Sequence, residues 1–215
     1  MQDIRRNLLI IGAGGFGREV LGYIEDDNPL FDIKGFLDSR VNVLDATPRG
    51  VGIVGDPLTY QPQAEDVFMA ALGDPQMRFK YTAVLRDVHN VDFTTVVHPR
   101  ANISRHTRLR RGCIIAPQVG ISVDCNIGEF TCIQEYTVVG HDAQIGNWCQ
   151  INSHCTIAGG ARIGDFVTIH PNSVITSRAA IGDGAIVGPG SVVIGRIPAG
   201  ITVMGNPARR FNFRK

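Results

Sequence analysis

Of the six histidines in this 215-residue sequence, His141 carries the clearest chemical signal. It stands in Val139-Gly140-His141-Asp142, where the next residue supplies a carboxylate able to orient the imidazole and support its positive charge, as a general base needs. Adding 18 residues reaches Gly159, followed by Gly160. Such a pair opens the backbone to a narrow chain, and its N–H groups can hold an acyl oxygen. His141 and Asp142 therefore read as a catalytic pair for acyl transfer, and Gly159 with Gly160 as the ledge for the acyl carrier; the competing reading is a surface histidine at a turn. His154, one coil-step from Tyr136 and Asn172, is a candidate substrate contact or a satisfied polar corner. His98 and His170 precede prolines at repeat starts, which favours structural roles, and His89 and His106 have no constellation around them.

A second set of residues lies near the start. Asn7 to Ile11 reads as a short strand, followed by Gly12-Ala13-Gly14-Gly15-Phe16-Gly17 and a helically spaced run from Arg18 to Glu25. Strand, glycine turn and helix make the first arm of a Rossmann-like unit, in which the backbone can approach a phosphate or sugar closely. A second strand, Lys34 to Leu37, ends at Asp38, about where such folds place a ribose-binding acid. About 90 residues precede the repeats described next, enough for half a dinucleotide fold, so a mononucleotide or nucleotide-linked sugar fits better than NAD. Further strands are expected at Val51 to Asp56 and Val67 to Leu72, then a helix from Arg78 to Val88; Gly73, Asp74 and Arg78 are candidates to line a ligand site at a strand end.

The element that positions His141 is a repeat. From Val97 to Val193 every sixth residue is Val, Ile or Leu, 17 hits in 17 positions. The column four residues on, from Ala101 to Ser191, is small throughout. A six-residue period fits neither helix nor long strand and marks a stacked solenoid. Ile127-Gly128-Glu129-Phe130, Ile145-Gly146-Asn147-Trp148, Ile163-Gly164-Asp165-Phe166 and Ile181-Gly182-Asp183-Gly184 repeat one phrase at 18-residue intervals, so three hexapeptides make one turn. That places Gly159 and Gly160 one coil along from His141, on the same edge. Phe130, Trp148 and Phe166 are expected to stack on another edge.

Composition narrows the function classes. A formal charge of +1 gives no reason to expect nucleic acid or an anionic membrane as partner, and no run approaches the roughly 18 apolar residues of a membrane span. Without a signal-peptide pattern at the start, a cytoplasmic protein is expected. Cys113, Cys125, Cys149 and Cys155 fall in the small interior column and Cys132 one place outside it, which favours packing over disulfide, metal or nucleophile. No two histidines lie five apart, and the separations of His154 and His170 from His141 do not repeat the zinc spacing of coil-borne carbonic anhydrases, so no metal is expected. Arg196, Arg209, Arg210, Arg214 and Lys215 form a basic end that suits phosphate oxygens.

The chain resembles the hexapeptide-repeat sugar acyltransferases that include sialic acid O-acetyltransferases and the N-acetyltransferases of UDP-bacillosamine and GDP-perosamine precursors. The resemblance rests on Ile11 to Glu19, Leu72-Gly73-Asp74, Val139 to Asp142, Ile157 to Gly160 and Gly205-Asn206-Pro207-Ala208. It implies a half-Rossmann α/β domain (1–92), a left-handed parallel β-helix of hexapeptide repeats (93–195) and a basic C-terminal tail (196–215). It implies a homotrimer with acetyl-CoA in a groove between subunits and no metal, His141 as base and Asp142 as its acidic partner. Gly159 and Gly160 would contact pantetheine, Gly188 and Gly190 would be the next contact along the groove, and Arg209 with Arg210 would suit the coenzyme A phosphates. The glycine turn and Asp38 match the nucleotide-sugar pocket. Two departures bear on the acceptor: Phe16-Gly17-Arg18 stands where UDP-amino-sugar enzymes often have His-Gly-Lys, and Gln150 where they have a second coil histidine. N-acetylation of a nucleotide-linked amino sugar, O-acetylation of a sugar hydroxyl and a non-catalytic trimeric scaffold all remain open at this point.

Overall fold

The structure is a computed structural model and describes residues 6–25, 31–47 and 50–211. It forms two compact units, Met1–Thr95 and Val96–Lys215.

In the first unit, β1 (Arg6–Ile11), α1 (Gly15–Glu25), β2 (Phe31–Leu37), β3 (Ile53–Gly55), β4 (Asp66–Ala70) and α2 (Pro75–Ala83) follow in order, with a π-helical turn at Val84–Val88. The sheet runs β3-β2-β1-β4, all parallel. Central β1 buries Leu8, Leu9, Ile10 and Ile11 completely, the continuous apolar run expected of a strand covered on both faces. The last helix begins earlier than its apolar spacing predicts. Asp74 caps it, accepting from the Met77 N–H at 2.9 Å, and Pro75 starts it, where a missing N–H costs nothing.

A buried ion cluster holds the far end of this sheet. Asp66 is 5% exposed and accepts from Lys34 Nζ at 2.8 Å, from the Tyr60 hydroxyl at 2.8 Å and from the Gln63 N–H at 2.9 Å. Burial alone would raise its pKa, but these donors, Lys34 foremost, hold it below the usual carboxylate value. A depressed carboxylate contributes stability above its unfolded pKa, near 3.9, and loses it as pH falls through the lower folded value. Asp66→Ala is expected to cost about 2 kcal/mol at neutral pH: the Tyr60 hydroxyl and the Gln63 N–H lose their acceptor, while Lys34 keeps Gln63 Oε1 at 2.8 Å. The deficit should shrink in thermal melts run below about pH 4; a pH-independent deficit would mean that packing, not charge, is lost.

The second unit is a three-sided parallel coil of two-residue strands. Face I carries 102–103, 120–121, 138–139, 156–157, 174–175 and 192–193; face II carries 108–109, 126–127, 144–145, 162–163, 180–181 and 196–197. Face III carries 96–97, 114–115, 132–133, 150–151, 168–169, 186–187 and 202–204. The second residue of each pair points inward, and from Ile115 to Val193 this aliphatic column is buried. Val97 in the first coil is 42% exposed, since no earlier layer covers it. Phe130 and Trp148 stack with centroids 4.1 Å apart, and Trp148 and Phe166 at 6.2 Å, along the edge between faces II and III.

The small column does more than relieve crowding. Cys113, Thr131, Cys149 and Ser173 donate to the carbonyls of Gly128, Gly146, Gly164 and Gly188 at 2.8–3.1 Å, so a thiol or hydroxyl there satisfies a buried corner carbonyl. All five cysteines are buried and free, and burial pushes the Cys155 thiol up to about 11.

The coil does not end near 195. Residues 196–204, expected as part of a tail, continue it: Arg196–Ile197 pairs with Ala180–Ile181, and Thr202–Val203 with Ile186–Val187. The corner at Gly195 is two residues shorter than the others, so the count of six loses register there although the stack goes on. Arg209–Arg210 then adds an antiparallel strand beside Val203–Met204. Arg214 and Lys215 lie outside the described residues.

Candidate active site

His141 and Asp142 form the corner that leads from face I to face II, between Val138–Val139 and Gln144–Ile145. Cys125 donates to the carbonyl of Gly140 at 3.1 Å, and the Gly160 N–H donates to the carbonyl of His141 at 2.8 Å, so the histidine backbone is tied to the coils on both sides. Nδ1 of His141 lies 2.7 Å from Oδ2 of Asp142. With the proton on Nδ1 and donated to that carboxylate, the lone pair sits on Nε2. Both side chains are about two-thirds exposed.

Gly159 lies beneath the ring. A Cβ added there would meet His141 Nε2 at 2.7 Å and Cε1 at 2.8 Å. Its carbonyl is fixed from the next coil by the Ser177 hydroxyl at 2.8 Å and the Arg178 N–H at 3.2 Å. Since the Gly160 N–H is occupied by His141, Gly159 carries the N–H of the pair that has no backbone acceptor among the described residues.

The other coil residues fall elsewhere. Gly188 and Gly190 bracket the corner between faces III and I, and His154 lies on that same edge, its ring stacked on Tyr136 with centroids 4.9 Å apart. Arg209 and Arg210 extend face III, the one face that does not adjoin the His141 edge. One chain therefore does not bring these five residues to His141. Gln150 also points from face III, 2% exposed, and donates to Asn152 at 3.2 Å. The 18-residue step that connects His141 with Gly159 continues to Ser177 and Arg178, contacts that a further step along the sequence would have found.

The first unit has its own cavity, about 340 Å³, at the carboxyl ends of β1, β2 and β4, where parallel sheets take ligands. Gly12, Asp38, Gly73 and Asp74 line it as expected, and Arg40, Met77 and Tyr81 join them. The glycines sort by role. A Cβ on Gly12 would strike Leu72 at 2.7 Å and one on Gly17 the Gly12 carbonyl oxygen, so these two serve packing. A Cβ on Gly14 would lie 3.7 Å from Arg40 Nη2, an ordinary contact, and Gly15 has open space. Phe16 is half-buried on α1 and is not among the cavity's lining residues.

Asp38 does not stand free as a ribose ligand. Its oxygens accept from the Ala13 N–H at 2.9 Å, the Arg40 N–H at 3.0 Å, and Arg40 Nε and Nη2 at 2.9 and 2.8 Å. Burial would raise its pKa, but Arg40 and the two N–H groups outweigh that and lower it. The carboxylate thus anchors the glycine turn and holds the guanidinium of Arg40, which is 61% exposed, at the cavity. The Asp38-x-Arg40 spacing was the available signal. Arg78 does not line the cavity either; it is fully buried and donates to the Leu72 carbonyl at 2.6 Å.

Among the described residues no three His, Cys, Asp or Glu side chains converge as a metal site would require, and no helix is long and apolar enough to cross a membrane.

Comparisons with known proteins match both units. Residues 7–85 match the PglD N-terminal domain, and residues 124–159 and 160–195 match the bacterial transferase hexapeptide repeats. A GDP-perosamine N-acetyltransferase of Escherichia coli O157:H7 is 32% identical over 136 residues, 60% of each chain. The structure of PerB from Caulobacter crescentus in complex with CoA and GDP-perosamine superposes with a TM-score of 0.87 at 28% identity, covering 96% of this chain and 97% of that one. WeeI from Acinetobacter baumannii AYE gives 0.84 at 27% identity, over 95% and 99%. With a PglD-type domain followed by a hexapeptide coil that carries a histidine over a glycine ledge, the chain is similar over both units to the hexapeptide-repeat sugar acyltransferases.

Proposed function

We propose that this chain is an acetyl-CoA-dependent N-acetyltransferase that acts on the amino group of a nucleotide-linked amino sugar in surface glycan biosynthesis. The observation that carries the reading is the placement of His141 Nε2 over Gly159 with Nδ1 held by Asp142. Nε2 accepts the proton of the acceptor amine as its nitrogen attacks the thioester carbonyl, the Gly159 N–H holds the developing oxyanion, and the thiolate leaves. Asp142 keeps the tautomer and supports the imidazolium. The cavity beside Asp38 and Arg40 takes the nucleotide, and the likeness to proteins named for GDP-perosamine supports that class of acceptor.

Assembly of more than one copy follows from the same reading, in the homotrimer that the resemblance implies. Gly188, Gly190 and His154 lie on a different edge from His141, so a groove using both edges requires two copies of the coil. Five free, buried thiols accord with work in the reducing cytoplasm, where acetyl-CoA is available.

The test is thiol release from acetyl-CoA against UDP-, GDP- and dTDP-linked amino sugars, with free sialic acid included. Release with a nucleotide amino sugar is expected. Release with a hydroxyl acceptor alone would move the protein to O-acetylation, and tight nucleotide-sugar binding without affinity for acetyl-CoA would make it a binding scaffold.

A further inference from the structure

The faces that meet at His141 differ in charge. The outward residues of face I, Asn102, Gly120, Val138, Thr156, Val174 and Val192, are uncharged. Face II beyond His141 presents Arg162, Ala180 and Arg196 on successive coils. Arg178 adds a third cation at the shared corner, one coil beyond Gly160; a Cβ on that glycine would lie 3.5 Å from the Arg178 side chain. All three arginines are exposed, and among the described residues none has an acidic partner within ion-pair distance.

Two shallow hollows join along this surface and share Arg162. One is bounded by Asp142, Gln144, Gly160, Arg162 and Arg178, the other by Arg162, Ala180, Asp183 and Arg196. The carboxylates that line them are engaged: Asp142 with His141, and Asp183 with the Asp165 N–H at 2.9 Å. The small side chain of Ala180 leaves the gap between two guanidinium groups that a phosphate would fill.

We infer that Arg162, Arg178 and Arg196 bind the phosphates of coenzyme A and make the enzyme select 3′-phosphorylated donors. This rests on the acetyl-CoA reading above. Coil spacing sets the scale: at about 4.8 Å per layer, Arg178 lies roughly 10 Å and Arg196 roughly 14 Å along the axis from His141. An extended pantetheine arm reaches about 15 Å from sulfur to its first phosphorus by ordinary bond geometry. A thioester at His141 with its arm over Gly159 thus delivers the pyrophosphate to these arginines. Arg209 and Arg210, on face III, are remote from that path within the chain.

The experiment compares KM for acetyl-CoA and for 3′-dephospho-acetyl-CoA in the full-length protein and in R162Q, R178Q, R196Q and the double variant R209Q/R210Q, with direct binding of CoA alongside. Wild type is expected to favour the 3′-phosphorylated donor by about tenfold or more. Each coil variant should raise the donor KM by about tenfold while the KM for the acceptor holds, and at least one should lose the preference for the 3′-phosphate. Wild-type donor KM in all three coil variants, or a loss confined to R209Q/R210Q, overturns the assignment and leaves the acetyl-CoA reading standing. Failure of the wild type to bind or use acetyl-CoA overturns both.

Discussion

Replacing His141 with alanine is expected to lower kcat by roughly 10²- to 10⁴-fold, the range for removal of a general base. KM for acetyl-CoA should change little, because on the reading proposed above the glycine ledge and Arg162, Arg178 and Arg196 hold the donor without the imidazole. Thermal stability should also persist: the ring is about two-thirds exposed, and its one side-chain hydrogen bond is to a carboxylate equally exposed. A surface pair of this kind contributes at most about 1 kcal/mol to stability. Initial rates of thiol release, read beside melting curves, separate the outcomes. Near-normal turnover in a folded variant would remove His141 from the mechanism, and a large fall in melting temperature would make the loss structural.

The geometry of the His141 edge was legible because a coil converts arithmetic into position. Once Ile127, Ile145 and Ile163 fix a turn of 18, residues 18 apart share an edge, and His141 over Gly159 follows without any knowledge of side-chain conformations. The same arithmetic puts Gly188 and Gly190 on another edge, so their expected place along a groove between subunits calls on a second copy of the coil. It fails at Gly195, where the shortened corner shifts Ile197 out of the count while its pairing with Ile181 persists. The α/β unit was less legible because its residues act through neighbours remote in sequence. Asp38 has the right position for a ribose ligand, yet its oxygens serve the Ala13 N–H and Arg40, and only the folded contacts show this. The cysteines were rightly placed in the interior, but their hydrogen bonds to carbonyls 15 residues on depend on the coil being closed.

Gly159→Ala is expected to lower kcat by about 10²-fold with little change in stability, which separates positioning of the base from folding of the coil. Gly159 does not have a left-handed backbone, so an L-residue fits its conformation. The new methyl would instead meet Nε2 of His141 at 2.7 Å, too close for either group to stay. What yields decides the effect. The obstacle is an exposed side chain able to swing into solvent at small energetic cost, whereas the same change at Gly17 would press on the Gly12 carbonyl, which is backbone and cannot yield as a side chain can. The displaced imidazole stays folded but lies about 1 Å or more from its productive place, and misplacement on that scale can cost 10²-fold in rate. Gly159→Ala and His141→Ala should therefore be far less than additive in combination, since both remove one group from one position. Rates for the two single variants and the double variant complete the cycle: a double variant no slower than His141→Ala confirms that the added methyl acts through the ring, and full additivity would mean that it also disturbs the ledge on which the acyl carrier lies.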